Sequence, residues 1–155
     1  MSTSRDRSLR IAVLYARLTG YVAACLRALC TRYDVELFVV RVPPGENVPF
    51  EDRHFDWIDR LYDRDALEGE EMRRKVEEFD PDALFISGWF DGDYLRVARS
   101  MRREGVMVVA GSDAQWTGSW DQQLGRALAP WYLHTAIDVL WVAGERQRQL
   151  ADRLG

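Results

Sequence analysis

Residue types that can do chemistry concentrate in four short segments of this 155-residue sequence, at positions 17–20, 88–92, 111–116 and 144–146. Each segment follows an apolar run and precedes an amphipathic one, so each is predicted to be a loop. Together they supply indole rings, carboxylates, hydroxyls and amides. Such a set can stack on the apolar face of a sugar and hydrogen-bond its hydroxyl rim. The pattern favours binding of a small polar ligand.

Asp113 is the candidate catalytic residue. It follows Gly111 and Ser112 at the end of a predicted strand, where its carboxylate can orient an attacking hydroxyl or accept its proton. Short acidic residues at such positions also cap helices or close turns, and the residue types leave both roles open. Asp91 has the same two roles, with the turn role favoured.

Aromatic residues accompany these acids. Trp89, Phe90 and Trp116 lie in the predicted loops, with Trp120 close by. Their rings can form the floor of a sugar site, or they can anchor the loops to the top of the core, since tryptophan is highly buried on average. Several aromatic residues along one predicted edge favour the binding role without excluding the anchoring one.

Other polar residues have weaker signatures. Thr19 and Gly20 precede a helix whose first amides can face an anion, but a single glycine is a poor motif for a dinucleotide. His54 lies in an irregular acidic stretch, and His134 ends a predicted helix, where it suits the helix dipole. Loop and helix-end roles account for both histidines.

Cys25 and Cys30 are five residues apart in a predicted helix, which separates them by about 7.5 Å along the helix axis. This exceeds the usual Cα separation of a disulfide. They form no CxxC pair, and no further Cys or His completes a zinc site. We therefore expect free thiols, no metal site and a reducing, cytoplasmic compartment.

Composition limits the class of protein. Hydrophobic residues make up 47% and charged residues 30%, as in an ordinary globular domain. A net charge of -4 and a pI of about 5.2 argue against nucleic acid as a partner. The apolar runs are too short for a transmembrane segment, and the polar N-terminus lacks the apolar region of a secretory signal. Residues 1–8 are predicted to be a disordered tail.

Two periodicities alternate along residues 9–155. We predict strands at 9–15, 35–42, 58–62, 83–87, 106–110 and 137–142, and helices at 21–33, 68–79, 93–103 (with Asp93 as N-cap), 122–134 and 145–154. This order predicts a single α/β domain: a Rossmann-like, doubly wound, mostly parallel sheet of six to seven strands with helices on both faces. Loops at the carboxyl ends of parallel strands converge, so the four segments are predicted to share one edge.

The order of these segments resembles the N-terminal domain of family 4 glycosyltransferases of the GT-B fold. The resemblance extends from Leu9 to Gly155 and is carried by residues 18–26, 87–89, 111–116 and 144–147. That family places two Rossmann-like domains across a cleft. The N-terminal domain mainly holds the acceptor, and the C-terminal domain holds the nucleotide-sugar donor.

The resemblance implies a role for each loop. Asp113 takes the catalytic position after the fifth strand, where relatives carry His or Asp. The implied substrate-binding residues are Thr19, Gly20, Gly88, Trp89, Ser112, Gln115, Trp116 and Glu145. The acceptor is a sugar or another hydroxyl-bearing small molecule. Transfer uses the nucleotide sugar as co-substrate and needs no metal or other cofactor.

The sequence departs from the family pattern in two ways. It contains neither the donor domain nor that domain's Glu-x7-Glu motif, and the glycine pair of the first loop is reduced to Gly20. Half a cleft neither holds the donor nor excludes water, so we expect this chain alone to be inactive. Without a partner domain, aromatic residues at the carboxyl edge would favour self-association.

Two alternatives to the intact enzyme stay open: a free-standing Rossmann-like sugar- or nucleotide-binding module, and one subunit of a split glycosyltransferase. A flavodoxin-like or receiver domain fits less well. Those domains need an acidic cluster after the first strand and a lysine late in the chain. Here the first loop holds Arg17, and Lys75 is the chain's single lysine.

Overall fold

A computed structural model describes residues 7–43 and 55–155. In this part of the chain six strands alternate with five α-helices and one short 3₁₀ helix, Arg64–Ala66. The strands are β1 (Leu9–Tyr15), β2 (Val35–Arg41), β3 (Arg60–Asp63), β4 (Ala83–Ile86), β5 (Met107–Ser112) and β6 (Val139–Val142). The helices are α1 (Gly20–Arg32), α2 (Gly69–Phe79), α3 (Gly92–Arg103), α4 (Trp120–Tyr132) and α5 (Glu145–Leu154).

The strands form a parallel sheet, which confirms the predicted Rossmann-like α/β class. The chain divides into two compact units, Met1–Ala83 and Leu84–Gly155. The prediction that residues 9–155 act as one domain stays a prediction. His54 and nearly all of the predicted tail at 1–8 lie outside the described residues. Among the described helices, none combines the length and the apolar character needed to cross a bilayer.

The first unit is organised around β2, which pairs in parallel with β1 and β3. Ala12, Val13 and Leu14 of β1 and the run 37–40 of β2 are at most 1% exposed. These strands are continuous apolar runs because both of their faces are covered. Helix α2 buries Met72, Val76 and Phe79, spaced at four and three residues, while its charged residues face outwards.

The second unit contains β4, β5 and β6 in that order. Helix α3 begins here with a side-chain cap: Oδ1 of Asp91 accepts hydrogen bonds from the backbone N–H groups of Asp93 (2.8 Å) and Tyr94 (3.2 Å). The prediction of Asp93 as N-cap is therefore wrong. The helix starts earlier, at Gly92, so the extended residue before it supplies the cap.

Several other boundaries also differ from prediction, most of them by one or two residues. Strand β5 continues to Ser112 because Gly111 and Ser112 pair with β6. Helix α4 starts at Trp120 and ends at Tyr132. The chain turns after Tyr132, where the N–H groups of Leu133 (2.8 Å) and His134 (3.1 Å) both donate to the carbonyl of Ala129. Strand β6 starts only at Val139, since the two preceding residues belong to the turn that enters it.

Candidate functional site

Two glycines shape the carboxyl ends of β4 and β5. Gly88 is buried with φ +91°, a left-handed conformation that favours glycine. A Cβ added to it would lie 3.7 Å from the carbonyl oxygen of Gly111. A Cβ on Gly111 would lie 2.8 Å from Cζ of Phe85, so the ring would have to move. The loop after β4 therefore runs beside the end of β5.

Trp89 is half-buried and held from two sides. Its ring stacks on that of Phe90, with centroids 5.9 Å apart. Its carbonyl oxygen accepts a hydrogen bond from the hydroxyl of Tyr132, at 3.0 Å, near the end of α4. Phe90 is 85% exposed. Trp89 thus combines the anchoring role with a partly exposed ring, and Phe90 presents an aromatic face to solvent.

The loop after β5 is organised by Gln122, in the first turn of α4. Its side-chain oxygen accepts hydrogen bonds from the backbone N–H groups of Thr117 (2.7 Å) and Gly118 (3.1 Å). Its amide donates to the carbonyl of Gln115, at 2.6 Å. One side chain therefore satisfies three backbone groups of the loop and fixes its path.

Helix α5 borders the same loop. The side-chain amide of Gln147 donates to the carbonyl oxygen of Asp113 at 3.3 Å. The guanidinium of Arg153 lies 5.1 Å from the ring centroid of the half-buried Trp116, within cation–π range. The loop after β5 is thus held by α4 on one side and α5 on the other.

Asp113 is exposed, and among the residues that the structure describes its carboxylate has no hydrogen-bond partner. It caps no described helix. The nearby turn is closed instead by Ser112, whose hydroxyl oxygen accepts from the N–H of Ala114 at 3.3 Å. The capping role considered for Asp113 is therefore filled by other groups, and its carboxylate stays open to a ligand.

The remaining predicted residues lie at two helix starts. Thr19 and Gly20, in the first unit, are exposed where α1 begins. The Thr19 carbonyl accepts from the N–H of Ala23, but its hydroxyl makes no capping bond. Glu145 is exposed in the first turn of α5 and pairs with Arg148 at 3.6 Å. In these contacts, neither the Thr19 nor the Glu145 side chain has a structural role in the core.

The structure brings together the predicted residues after β4 and β5. Gly88, Trp89, Asp113, Gln115 and Trp116 occupy two adjoining loops that α4 and α5 hold in place, and Ser112 is the last residue of β5. Sequence reasoning missed the residues that hold them, above all Gln122. A signal for it existed: Ser119 and Gln122 have the spacing of a capping box, Ser-x-x-Gln. Here the glutamine turns to the preceding loop, and Ser119 makes no side-chain capping bond.

The histidine and the cysteines are not part of these loops. Nε2 of His134 is 2.8 Å from the carbonyl oxygen of Leu154, at the end of α5 rather than of α4. Cys25 and Cys30, in the first unit, are free thiols, as predicted, and Cys25 is exposed. Partial burial, and then the charge of Asp59, raise the pKa of the Cys30 thiol, so it stays protonated at neutral pH. Within residues 7–43 and 55–155, no three potential ligands come together for a metal.

No family model and no curated protein matches the sequence. Among solved structures, MurG of Acinetobacter baumannii, a GT-B glycosyltransferase, matches with a TM-score of 0.56 and 14% identity. The match covers 90% of this chain and 42% of MurG. The chain therefore spans less than half the length of that protein, and the likeness shows the fold alone.

Another match is a short-chain dehydrogenase/reductase of Veillonella parvula in complex with NADP. It has a TM-score of 0.47 and 13% identity, covering 94% of this chain and 63% of that one.

Proposed function

We propose that this chain is the acceptor-side domain of a glycosyltransferase that moves a sugar from a nucleotide sugar to an acceptor hydroxyl. The observation that carries the proposal is the exposed Asp113 carboxylate, free of structural hydrogen bonds, in a loop that also carries Trp116 and adjoins the loop of Trp89. The MurG-like fold and the resemblance to family 4 enzymes support it.

In the proposed reaction the acceptor sugar stacks on the exposed parts of Trp89 and Trp116. Asp113 hydrogen-bonds the attacking hydroxyl and orients it or takes its proton. The acceptor oxygen forms a bond to the anomeric carbon as the bond to the nucleoside diphosphate breaks. The leaving diphosphate keeps the electron pair. No metal enters this scheme.

The other predicted residues have supporting roles. Gly88 and Ser112 shape the loop ends, and Gln115 offers an amide to the acceptor. Thr19 and Gly20 would serve the donor side, where the first amides of α1 suit a phosphate. Glu145 keeps its proposed role as a substrate-binding residue. The donor itself would be bound mainly by a C-terminal domain of the intact enzyme.

Activity assays test this proposal. With a panel of nucleotide sugars and simple glycan acceptors, the 155-residue chain alone is expected to release no more nucleoside diphosphate than buffer does. Joined to, or mixed with, a donor domain that completes the cleft, it is expected to transfer sugar, and Asp113→Asn is expected to lower kcat at least about tenfold. The control is Asp34→Asn, which removes an exposed carboxylate between α1 and β2 and should leave transfer unchanged. Transfer that is insensitive to Asp113→Asn would contradict the assigned role.

The second candidate is a free-standing binding module or one subunit of a split enzyme. It is favoured by the parallel, Rossmann-like sheet, an architecture that binds small ligands at the carboxyl ends of its strands. Calorimetric titration separates the candidates, since a free-standing module must bind its sugar or nucleotide without help. Micromolar binding by the isolated chain, with no gain when a donor domain is added, would favour the module.

A further inference from the structure

Helix α4 presents its apolar side to solvent. Of its 13 residues only Ala129 is buried. Trp120 is 83% exposed, Leu124 59%, Leu128 48% and Trp131 73%. Their spacing of four, four and three residues places them on one side of the helix, and we call these four residues the α4 stripe. Exposed aromatic and leucine side chains normally occur singly on a protein surface, so a continuous stripe indicates a surface that is covered by something else.

A groove extends the α4 stripe within the second unit. It encloses about 560 Å³ and is bordered by Leu124, Leu128 and Trp131, together with Trp89, Tyr132 and Leu154. Of the residues in the described part of the chain that line it, Asp121 alone is charged. An apolar surface of this kind suits a protein partner that buries it rather than a charged ligand.

We propose that the α4 stripe is the contact surface for a second copy of this chain. With side-chain areas of about 150–250 Å² for aromatics, the stripe and Tyr132 expose roughly 600 Å² of apolar surface. This approaches the ~800 Å² that each partner contributes to a standard-size interface. A self-complementary dimer therefore needs little area beyond the stripe. This inference does not depend on the proposed function.

A two-fold axis can bring two copies of the α4 stripe together without a steric clash or strong charge repulsion. If two α4 helices cross antiparallel about the midpoint of the stripe, Leu124 of one copy meets Leu128 of the other. The backbone at Gly125 has open space around it, which allows the helices to approach closely. The two Asp121 carboxylates would then lie about 15 Å apart along the helix axis, beyond strong repulsion.

Charge disfavours a membrane as the occupant. Helices that lie on anionic bilayers carry Lys and Arg on their polar face. Here α4 carries one acidic and one basic residue, Asp121 and Arg126, so it has no excess of positive charge, and the net charge of the chain is -4. A second copy places apolar surface against apolar surface without bringing an acidic protein to an acidic membrane.

The test is sedimentation equilibrium of the 155-residue chain over a range of concentrations. The wild type is expected to approach twice its mass of 18.0 kDa. The double variant Leu124→Gln, Leu128→Gln keeps the helix propensity of α4 and is expected to weaken dimerisation at least about tenfold. The control Tyr33→Gln removes an exposed aromatic from the end of α1 and should leave the dimer unchanged. Circular dichroism verifies that each variant is folded.

Two results would overturn the proposal. One is a wild type that stays at 18.0 kDa at all concentrations, whether or not it pellets with vesicles containing one-third anionic lipid. The other is a dimer whose dissociation constant is unchanged in the folded double variant, since the contact surface would then lie elsewhere.

Discussion

Helices α3 and α4 belong to the same unit and have similar lengths, yet they use their apolar residues in opposite ways. Helix α3 buries Tyr94, Leu95, Val97, Ala98 and Met101, five of its 12 residues. Helix α4 buries one of 13 and exposes two tryptophans and two leucines. Amphipathic spacing therefore shows that a helix has an apolar side, but not whether that side faces its own core.

The difference extends to the helix ends. The start of α3 is held by the Asp91 side chain, and its last turn by Arg102, which bonds Asp138. The first turn of α4 sends its Gln122 side chain to the candidate site loop instead. Helix α3 thus stabilises the fold, whereas α4 supports the candidate site and carries an unpartnered surface.

Truncation of buried residues should show the largest contrast. Met101→Ala, at a fully buried position of α3, is expected to lower the free energy of unfolding by about 2–5 kcal/mol. Leu124→Ala, at an exposed position of α4, should cost less than about 1 kcal/mol at concentrations where the chain is monomeric. Urea unfolding measures both. Equal losses would mean that α4 packs on the core as α3 does.

Substitution of Asp138 should have the next largest effect on the free energy of unfolding, and this effect should depend on pH. Although its burial acts in the opposite direction, hydrogen bonds from the Val108 N–H (2.9 Å) and the Arg102 guanidinium (2.6 Å) lower the pKa of this carboxyl. Because the pKa is lower in the folded state, the stabilisation is present above the unfolded pKa of ~3.9 and is lost as the pH falls through the folded value.

Because this carboxyl is exposed and solvent screens its pairing with Arg102, Asp138→Asn should cost about 0.5–1.5 kcal/mol at pH 7. The difference between variant and wild type should shrink below pH 4, as measured by urea unfolding at several pH values. A difference that is constant from pH 7 to pH 3 would show that the charge on Asp138 contributes nothing.

The N-cap residues of α3 and α4 provide a matched pair of variants with a smaller expected effect on stability. Asp91→Ala removes two hydrogen bonds at the start of α3 and should cost about 1 kcal/mol. Ser119→Ala, at the equivalent position of α4, removes no side-chain capping bond and should change stability by only a few tenths of a kcal/mol. Thermal unfolding distinguishes the two. A larger loss from Ser119→Ala would contradict the described capping of these helices.

Gln122→Ala should lower the free energy of unfolding only slightly, by less than about 1 kcal/mol, because its hydrogen bonds lie at the surface. Its local effect is expected to be larger: the amide resonances of Thr117 and Gly118 should shift and broaden once their acceptor is gone. Arg126→Ala, at another exposed position of α4, provides the control. Unchanged Thr117 and Gly118 resonances in Gln122→Ala would show that the loop does not depend on this side chain.

Much of the fold was predictable because apolar periodicity is a local signal. Strand β1 and helix α5 have the predicted bounds, and the buried residues of α2 were identified from their spacing. Errors arose where long-range pairing or a single backbone group decides the outcome. Pairing with β6 extended β5 to Ser112, and the turn in which Leu133 and His134 share the Ala129 carbonyl ended α4 early.

The candidate site was predictable in part. Residue types placed Trp89, Asp113 and Trp116 in loops after successive strands, which the parallel sheet then brings to neighbouring positions. The holding contacts of Gln147 and Arg153 lay beyond prediction, because each side chain reaches back more than 30 residues along the sequence. Gln147 and Arg153 lie in a sequence pattern that is typical of any solvent-exposed helix face.

The most direct test of the proposed acceptor site is an NMR titration of the six tryptophan indole N–H resonances with nucleotide sugars and simple glycans. An acceptor that binds at the two loops is predicted to shift the resonances of Trp89 and Trp116 and to leave those of Trp57 and Trp141 in place. Asp113→Asn should weaken that binding while the spectrum otherwise stays unchanged. Shifts confined to tryptophans outside the two loops, or none with any glycan in the panel, would contradict the proposed acceptor site.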